Sequence, residues 1–334
     1  MLIGREQEKK ELLDALASDY SEFIAVYGRR RVGKTFLIRE TFNYKFTFQH
    51  TGMANTTSKN QLVNFRDSLI EQGAIKVPKL NNWLEAFSEL KRFLNTSTDE
   101  RKLVFIDELP WLDTPKSDFL SALEHFWNGW ATSRKDIVLV VCGSATSWIV
   151  EKIINNHGGL HNRLTKRIKL NPFTLKECEA FIESKHISMN RYQLVEAYMV
   201  LGGIPYYWNF LKKGLSVAQN IDRLFFQESG ELQNEFDMLY ASLFRFPEGY
   251  IKIVTALGEK KVGMSRKEII DSTKITDSGT LTRMLKELEW CGFIRKYNNI
   301  GKTVKESIYQ LIDNYTLFYF QFIRKNNLQD EHFW

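Results

Sequence analysis

The sequence predicts a three-layer α/β domain on a parallel sheet, followed by an all-helical segment and a basic helix–helix–hairpin segment. Three observations carry this expectation. Short apolar runs of strand length alternate with amphipathic stretches as far as Leu170. The strand signal then stops after Asn171-Pro172-Phe173. A Pro247-Glu248-Gly249 break introduces a third pattern, which ends in a hairpin.

Taken in order, Arg5 to Ser18 reads as an amphipathic helix with Leu12, Leu13 and Leu16 on one face. Glu22–Tyr27 is a short apolar run ending at a glycine, hence a buried strand, and a helix opens over Lys34 to Thr41. Further strands are expected at Tyr44–His50, Lys102–Ile106, Ile137–Cys142 and Arg167–Leu170. Helices over Lys59–Gln72, Trp83–Leu94, Asp118–Trp130 and Ser147–Asn155 separate them. Past Phe173, helices are expected at Leu175–Ser184, Arg191–Leu201, Tyr206–Leu211, Val217–Phe226 and Glu231–Phe244. The last pattern is helix (Tyr250–Leu257), helix (Ser265–Ser272), turn, helix (Gly279–Cys291) and hairpin (Phe293–Tyr309). That is the order of a winged helix-turn-helix.

A chain of 334 residues exceeds the usual single-domain size. With 43% hydrophobic and 26% charged residues it has the composition of an ordinary folded soluble protein. Its three cysteines fall in no metal-ligand or CxxC spacing, which suits a reducing cytoplasm. The first residues carry charge at once, and no apolar run approaches the roughly 18 residues that span a bilayer. A cytoplasmic location without a membrane role is therefore expected. The net charge of +6 is concentrated: residues 240–325 hold 15 Lys/Arg against 9 Asp/Glu, so the remainder balances. A basic C-terminal third points weakly toward nucleic acid.

The chemistry starts at Gly28-Arg29-Arg30-Arg31-Val32-Gly33-Lys34-Thr35, which fits the phosphate-loop pattern G-x-x-x-x-G-K-[ST]. Its two glycines allow a tight turn in which successive backbone N–H groups face one anion, and the helix through Phe36 adds its dipole. Lys34 reaches toward the β- and γ-phosphates of ATP, and Thr35 offers a hydroxyl to Mg²⁺. The required context of strand, loop and helix is met by Phe23–Tyr27 before the loop and Phe36-Leu37-Ile38 after it. Leu103–Ile106 is a buried run that delivers Asp107 and Glu108 at a carboxyl end, where ligands of such sheets bind. Asp107 suits Mg²⁺, and Glu108 suits an attacking water. Val138–Cys142 is another buried run, ending in Gly143-Ser144; if this strand lies between the first and the Asp107 strand, Ser144 faces the γ-phosphate.

With these pieces in hand, the chain resembles the archaeal-type ATPase family of the STAND/AAA+ group. The marks are Ile3-Gly4-Arg5-Glu6-Gln7-Glu8, the Tyr27–Thr35 loop, Phe105–Leu109, Cys142-Gly143-Ser144, the run from Asn162-Arg163 to Phe173, and Gly202–Tyr206. The resemblance covers nearly the whole chain. It implies a P-loop NTPase sheet of order 5-1-4-3-2, with the Asp107 strand third and the Ser144 strand fourth. It implies that Gly4 and Arg5 lie against the adenine and that Pro205 touches adenine or ribose. Arg163 matches an arginine finger offered to a neighbouring copy, although position 162, often glycine in such proteins, is asparagine here. Local readings stand beside these. Arg163 can bridge to a carboxylate on its own surface, and Arg5 can be a solvated residue of the first helical turn. Gly202-Gly203 can end a helix that Pro205 restarts.

The expected division is an ATPase core at 1–172, a helical lid at 173–246, a winged helix-turn-helix at 247–325 and a tail at 326–334. On the helix Gly279–Cys291, Leu281, Met284, Leu285 and Leu288 share an inward face. Thr282, Arg283, Lys286 and Glu287 are thereby expected to turn outward, where a recognition helix meets DNA. Arg295, Lys296, Lys302 and Lys305 flank the hairpin turn Asn298–Gly301, where a wing tracks phosphates. Glu287 and Glu289 count against this, and the domain can equally dock an unknown protein partner. The aromatic stretch Tyr315–Phe322 reads as core or a domain interface rather than a base-stacking surface, and His50, His157 and His161 as structural or solvated. Three functions compete: an ATP-hydrolysing switch, with self-association through Arg163; an ADP/ATP-gated DNA-binding or regulatory module of slow turnover; and a scaffold that holds ADP. The Asp107-Glu108 pair favours hydrolysis.

Overall fold

The computed structural model describes residues 2–244, 246–298 and 307–324. Lys302, Lys305, the turn residues from Asn299 to Gly301 and the tail at 326–334 lie outside them. The chain divides into two compact units. One comprises residues 1–28 and 34–170, the other residues 29–33 and 171–334.

In the first unit, α1 (Glu6–Leu16), β1 (Glu22–Tyr27), α2 (Lys34–Thr41) and β2 (Phe48–Thr51) come first. They are followed by α3 (Ser58–Glu71), α4 (Trp83–Thr96), β3 (Lys102–Asp107), α5 (Phe119–Gly129) and β4 (Ile137–Cys142). The short α6 (Thr146–Trp148) and β5 (Lys166–Lys169) complete the unit. All five strands are parallel, in the order β2-β3-β4-β1-β5, which is the expected 5-1-4-3-2 order. Every residue of β3 and β4 is buried, as strands covered on both faces must be. A layer of rings closes one face: Trp83 meets Phe119 edge-on at 4.9 Å, and both are fully buried.

The strand expected from Tyr44 starts later. Asn43 and Tyr44 take φ of 51° and 59° and close the end of α2, so the ladder begins only when the Thr47 N–H reaches the Leu103 carbonyl. The helix expected over Ser147–Asn155 is α6 followed by a π-helical turn at Ile149–Ile154.

The second unit holds α7 (Leu175–Ser184), α8 (Arg191–Leu201), α9 (Pro205–Trp208), α10 (Val217–Phe225) and α11 (Glu235–Leu243). Next come α12 (Glu248–Glu259), β6 (Met264–Ser265), α13 (Arg266–Thr273), α14 (Gly279–Trp290), β7 (Ile294–Tyr297), β8 (Ile308–Leu311) and α15 (Asn314–Phe318). Capping boxes at Thr174, Asn190, Ser216 and Ser265 start four of these helices. The helix expected from Glu231 begins at Glu235, because the Leu232 N–H is taken by the Leu224 carbonyl. β6, β8 and β7 form an antiparallel sheet, and β6 was not anticipated.

Leu281, Met284, Leu285 and Leu288 pack inward as expected, while Glu287 does not turn outward. It is 8% exposed and accepts the Tyr250 hydroxyl, so α14 buries a carboxylate that a helical wheel assigns to solvent. The stretch after Asp313 is core: Tyr315, Phe318 and Phe320 are buried, and Tyr319 stacks on Phe236 at 4.0 Å. No helix among the described residues is long and apolar enough to cross a membrane.

His50 on β2 is buried, with Nδ1 2.9 Å from the Ser68 hydroxyl. Burial pushes its imidazole down to about 3 from 6.5. Between those values the unfolded chain binds a proton that the folded chain refuses, so stability falls as pH drops through that window. His50→Gln should flatten the loss of Tm on acidification from about pH 7 to about pH 4. An unchanged slope in thermal melts would show that His50 does not contribute.

Candidate nucleotide site

β1 ends at Tyr27, and the chain turns at Gly28 with φ 143°. A side chain here would overlap the Leu170 carbonyl, whose own amide donates to the Tyr27 carbonyl at 2.7 Å. Only glycine fits that approach. Gly33 at φ 89° completes the turn into α2. Lys34, 7% exposed, folds its ammonium back onto the Gly28 carbonyl at 2.9 Å, spanning the mouth of the loop. Val32 is buried, Arg30 half-buried, and Phe36 exposed on the first turn of α2.

Asp107 is the last residue of β3 and is 5% exposed. Its Oδ2 accepts the Thr35 hydroxyl at 2.9 Å, and its Oδ1 accepts the Glu108 N–H at 2.8 Å. The Cys142 thiol, at the end of β4, also donates to Oδ1 at 2.8 Å. Burial, with the Asp107 carboxylate beside it, pushes that thiol up and keeps it a neutral donor. Glu108 follows in the left-handed region, φ 50°, which turns its side chain off the strand line. Its Oε2 accepts both the Ser144 amide at 3.1 Å and the Ser144 hydroxyl at 2.8 Å. Gly143 permits this, since a side chain there would strike the Pro110 ring. β4 does lie between β1 and β3, the arrangement on which the reading of Ser144 depended.

A hydroxyl and a carboxylate 2.9 Å apart beside the loop are hard oxygen donors, and they suit Mg²⁺. Thr35, Asp107, Glu108, Ser144, Gly28 and Lys34 are thus brought together at the carboxyl ends of β1, β3 and β4.

The other sequence-selected residues are placed separately. Gly4 and Arg5 both take left-handed backbone, and Arg5 caps α1. Arg5 is only 5% exposed and pairs with Glu8 at 3.8 Å, so the reading of a solvated first-turn residue does not hold. Arg163 is exposed, shortly before β5, after Asn162 at φ 53°. Among the described residues it makes no ion pair, so the bridge to a carboxylate on its own surface is not formed. Pro205 is the first residue of α9, after Gly202 at φ 59°, and Gly203 presses against the Phe173 backbone. Arg283 and Lys286 are exposed on α14, and Lys296 is half-buried on β7.

The family model for ATPase domains found predominantly in Archaea matches residues 2–211, well over half of the chain. The chain belongs to that family. This ATPase is 28% identical to an uncharacterized protein of Methanocaldococcus jannaschii over 330 residues, 98% of the chain and 70% of that protein. Among solved structures it is similar to the Walker-type ATPase of Pyrococcus abyssi, with TM-score 0.67 and 17% identity over 96% of each chain. It is also similar to the ORC2 protein of Aeropyrum pernix in its ADPNP–ADP complexes. There the TM-score is 0.50 at 13% identity, over 92% of this chain and 88% of that one. At such identities the likeness shows the fold.

Sequence reasoning missed the Cys142–Asp107 and Ser144–Glu108 bonds. The order of the strands could have placed these side chains at one end of the sheet. Nothing local shows which of them would pair.

Proposed function

We propose that this ATPase hydrolyses Mg²⁺-bound ATP at the site on β1, β3 and β4 and uses the nucleotide state as a conformational switch. The observation that carries the reading is the Thr35–Asp107 bond of 2.9 Å, with Lys34 across the loop mouth. The backbone N–H groups of Gly28–Lys34 cradle phosphate oxygens, and Lys34 leaves the Gly28 carbonyl for the β- and γ-phosphates. Thr35 and Asp107 hold Mg²⁺, which supplies charge neutralisation on those phosphates. Glu108 orients the attacking water and takes its proton on the oxygen that Ser144 does not hold. The Ser144 amide keeps its hold on Glu108, while the Ser144 hydroxyl leaves Glu108 to face the reacting phosphate. Gly4 and Arg5 line the adenine, and Pro205 the adenine or ribose, from a helical lid at residues 173–246. Exposed Arg163 completes the site of a second copy as an arginine finger. The three thiols, none in a disulfide, suit a reducing cytoplasm.

A second reading, a nucleotide-gated DNA-binding role, is favoured by the exposed Thr282, Arg283 and Lys286 on α14. The run from α12 to β8 supports a winged helix-turn-helix at residues 247–325, with α14 entering the major groove. Lys296 on β7 would meet phosphates, as would Lys302 beyond the described residues.

Lys34→Ala should weaken ATP binding sharply, since a charge-assisted contact is lost. Glu108→Gln should keep binding and slow hydrolysis about 10²–10⁴-fold. Chelation of Mg²⁺ should stop turnover in both the wild type and any active variant. Equal steady-state rates for the wild type and Glu108→Gln would remove Glu108 from the mechanism. For Arg163, specific activity should climb with protein concentration, and Arg163→Ala should abolish the climb, an effect worth about 10³–10⁵ in rate. Concentration-independent turnover of a strict monomer would end that role. Duplex DNA affinity should fall steeply with salt, and Lys296→Ala should flatten the slope by roughly one unit. No binding at about 50 mM salt, at protein well above ~10⁻⁴ M, would make the segment a protein-docking module.

A further inference from the structure

The central residues of the phosphate loop, 29–33, group with residues 171–334, and their side chains show how. Arg29 is 4% exposed. Its guanidinium makes a two-pronged pair with Asp313, one prong at 3.1 Å, and lies over the Phe293 ring at 4.5 Å. Asp313 is itself 5% exposed and is held by the Thr316 amide at 3.0 Å and the Thr316 hydroxyl at 2.5 Å. Burial opposes the charge on Arg29, yet the Asp313 carboxylate and its hydrogen bonds hold its pKa above the ordinary arginine value. Two residues on, Arg31 pairs with Glu235 and stacks over the Tyr206 ring at 4.3 Å. Glu235 is 3% exposed and accepts the Tyr207 hydroxyl at 2.6 Å.

Two buried carboxylates from distant parts of the chain therefore hold alternate side chains of one short loop. Arg31 has φ 70°, a left-handed conformation that a side-chain-bearing residue keeps only when its surroundings insist. With both guanidiniums fixed, the peptide planes between them cannot rotate freely, and it is those N–H groups that must face the phosphates. The arginines would otherwise be ready partners for the phosphates themselves. Here their charges are already matched within the protein.

We infer that Asp313 and Glu235 are positioning residues for the phosphate loop: by holding Arg29 and Arg31 they set the loop in its nucleotide-ready shape. They act through the arginines and touch no reacting atom. The inference rests on nucleotide binding at this loop, and the test separates the two.

Asp313→Asn keeps the shape of the side chain and removes its charge. Hydrogen exchange of the peptide 28–35, measured without nucleotide, should quicken in this variant and slow again when ADP is added. The Kd for a fluorescent ADP analogue should rise about tenfold to a hundredfold. KM for ATP should follow it, while kcat at saturation changes far less, because Lys34, Asp107 and Glu108 are intact. Asp313→Glu should recover part of the affinity. Unchanged exchange and Kd would overturn the proposal. Tighter binding would also overturn it, since the carboxylate would then be competing with phosphate for Arg29. Failure of the wild-type protein to bind the analogue would instead remove the nucleotide reading beneath it. Should Asp313→Asn not fold, Glu235→Gln, which can still accept the Tyr207 hydroxyl, carries the same comparison. Loss of folding in both would assign the pairs to stability alone and overturn the proposal.

Discussion

The Asp107 carboxylate is the constraint on which the first unit turns. It is the last residue of a strand buried at all six positions, and a carboxylate there is costly unless donors surround it. Each donor belongs to a different piece of chain: Thr35 at the start of α2, Cys142 at the end of β4, and the backbone of Glu108 in the turn that leaves β3. Satisfying one buried charge thus fixes where α2 begins, where β4 stops and which way the chain leaves β3. Glu108, forced into left-handed backbone, finds its own donors in Ser144. Missing side chains make the approach possible, at Gly28 under the Leu170 carbonyl and at Gly143 beside Pro110.

The same chemistry governs the central loop residues in the second unit, with the sign reversed. A buried guanidinium tolerates its surroundings only when a carboxylate meets it with good geometry, and such pairs contribute orientation more than stability. Arg29 and Arg31 are set in this way among rings: Phe293 under one, Tyr206 under the other. Aromatic faces suit guanidinium because they are apolar yet electron-rich.

What the sequence made legible was local. Buried parallel strands announce themselves as unbroken apolar runs, and the loop from Gly28 to Thr35 has a pattern tied to its backbone geometry. The same holds for Asp107 and Glu108 at the end of such a run. The start of β2 was misjudged because Tyr44–Phe46 is apolar enough for a strand, while the turn at Asn43 and Tyr44 has no glycine to mark it. Glu287 was placed on the wrong face because periodicity cannot foresee the Tyr250 hydroxyl. The partner of Arg29 lies 284 residues away and could not be read from spacing at all. Long-range pairing of charges is settled by the tertiary fold, and one sequence carries no separate signal for it.

The three cysteines have a consequence of another kind. Cys142 belongs to the first unit, Cys178 and Cys291 to the second; all are buried thiols, none in a disulfide. A water-borne alkylating reagent needs an accessible thiolate, and the folded chain presents none at these three positions. Uptake of such a reagent is therefore a clock for transient opening of the interior, with one hand in the first unit and two in the second.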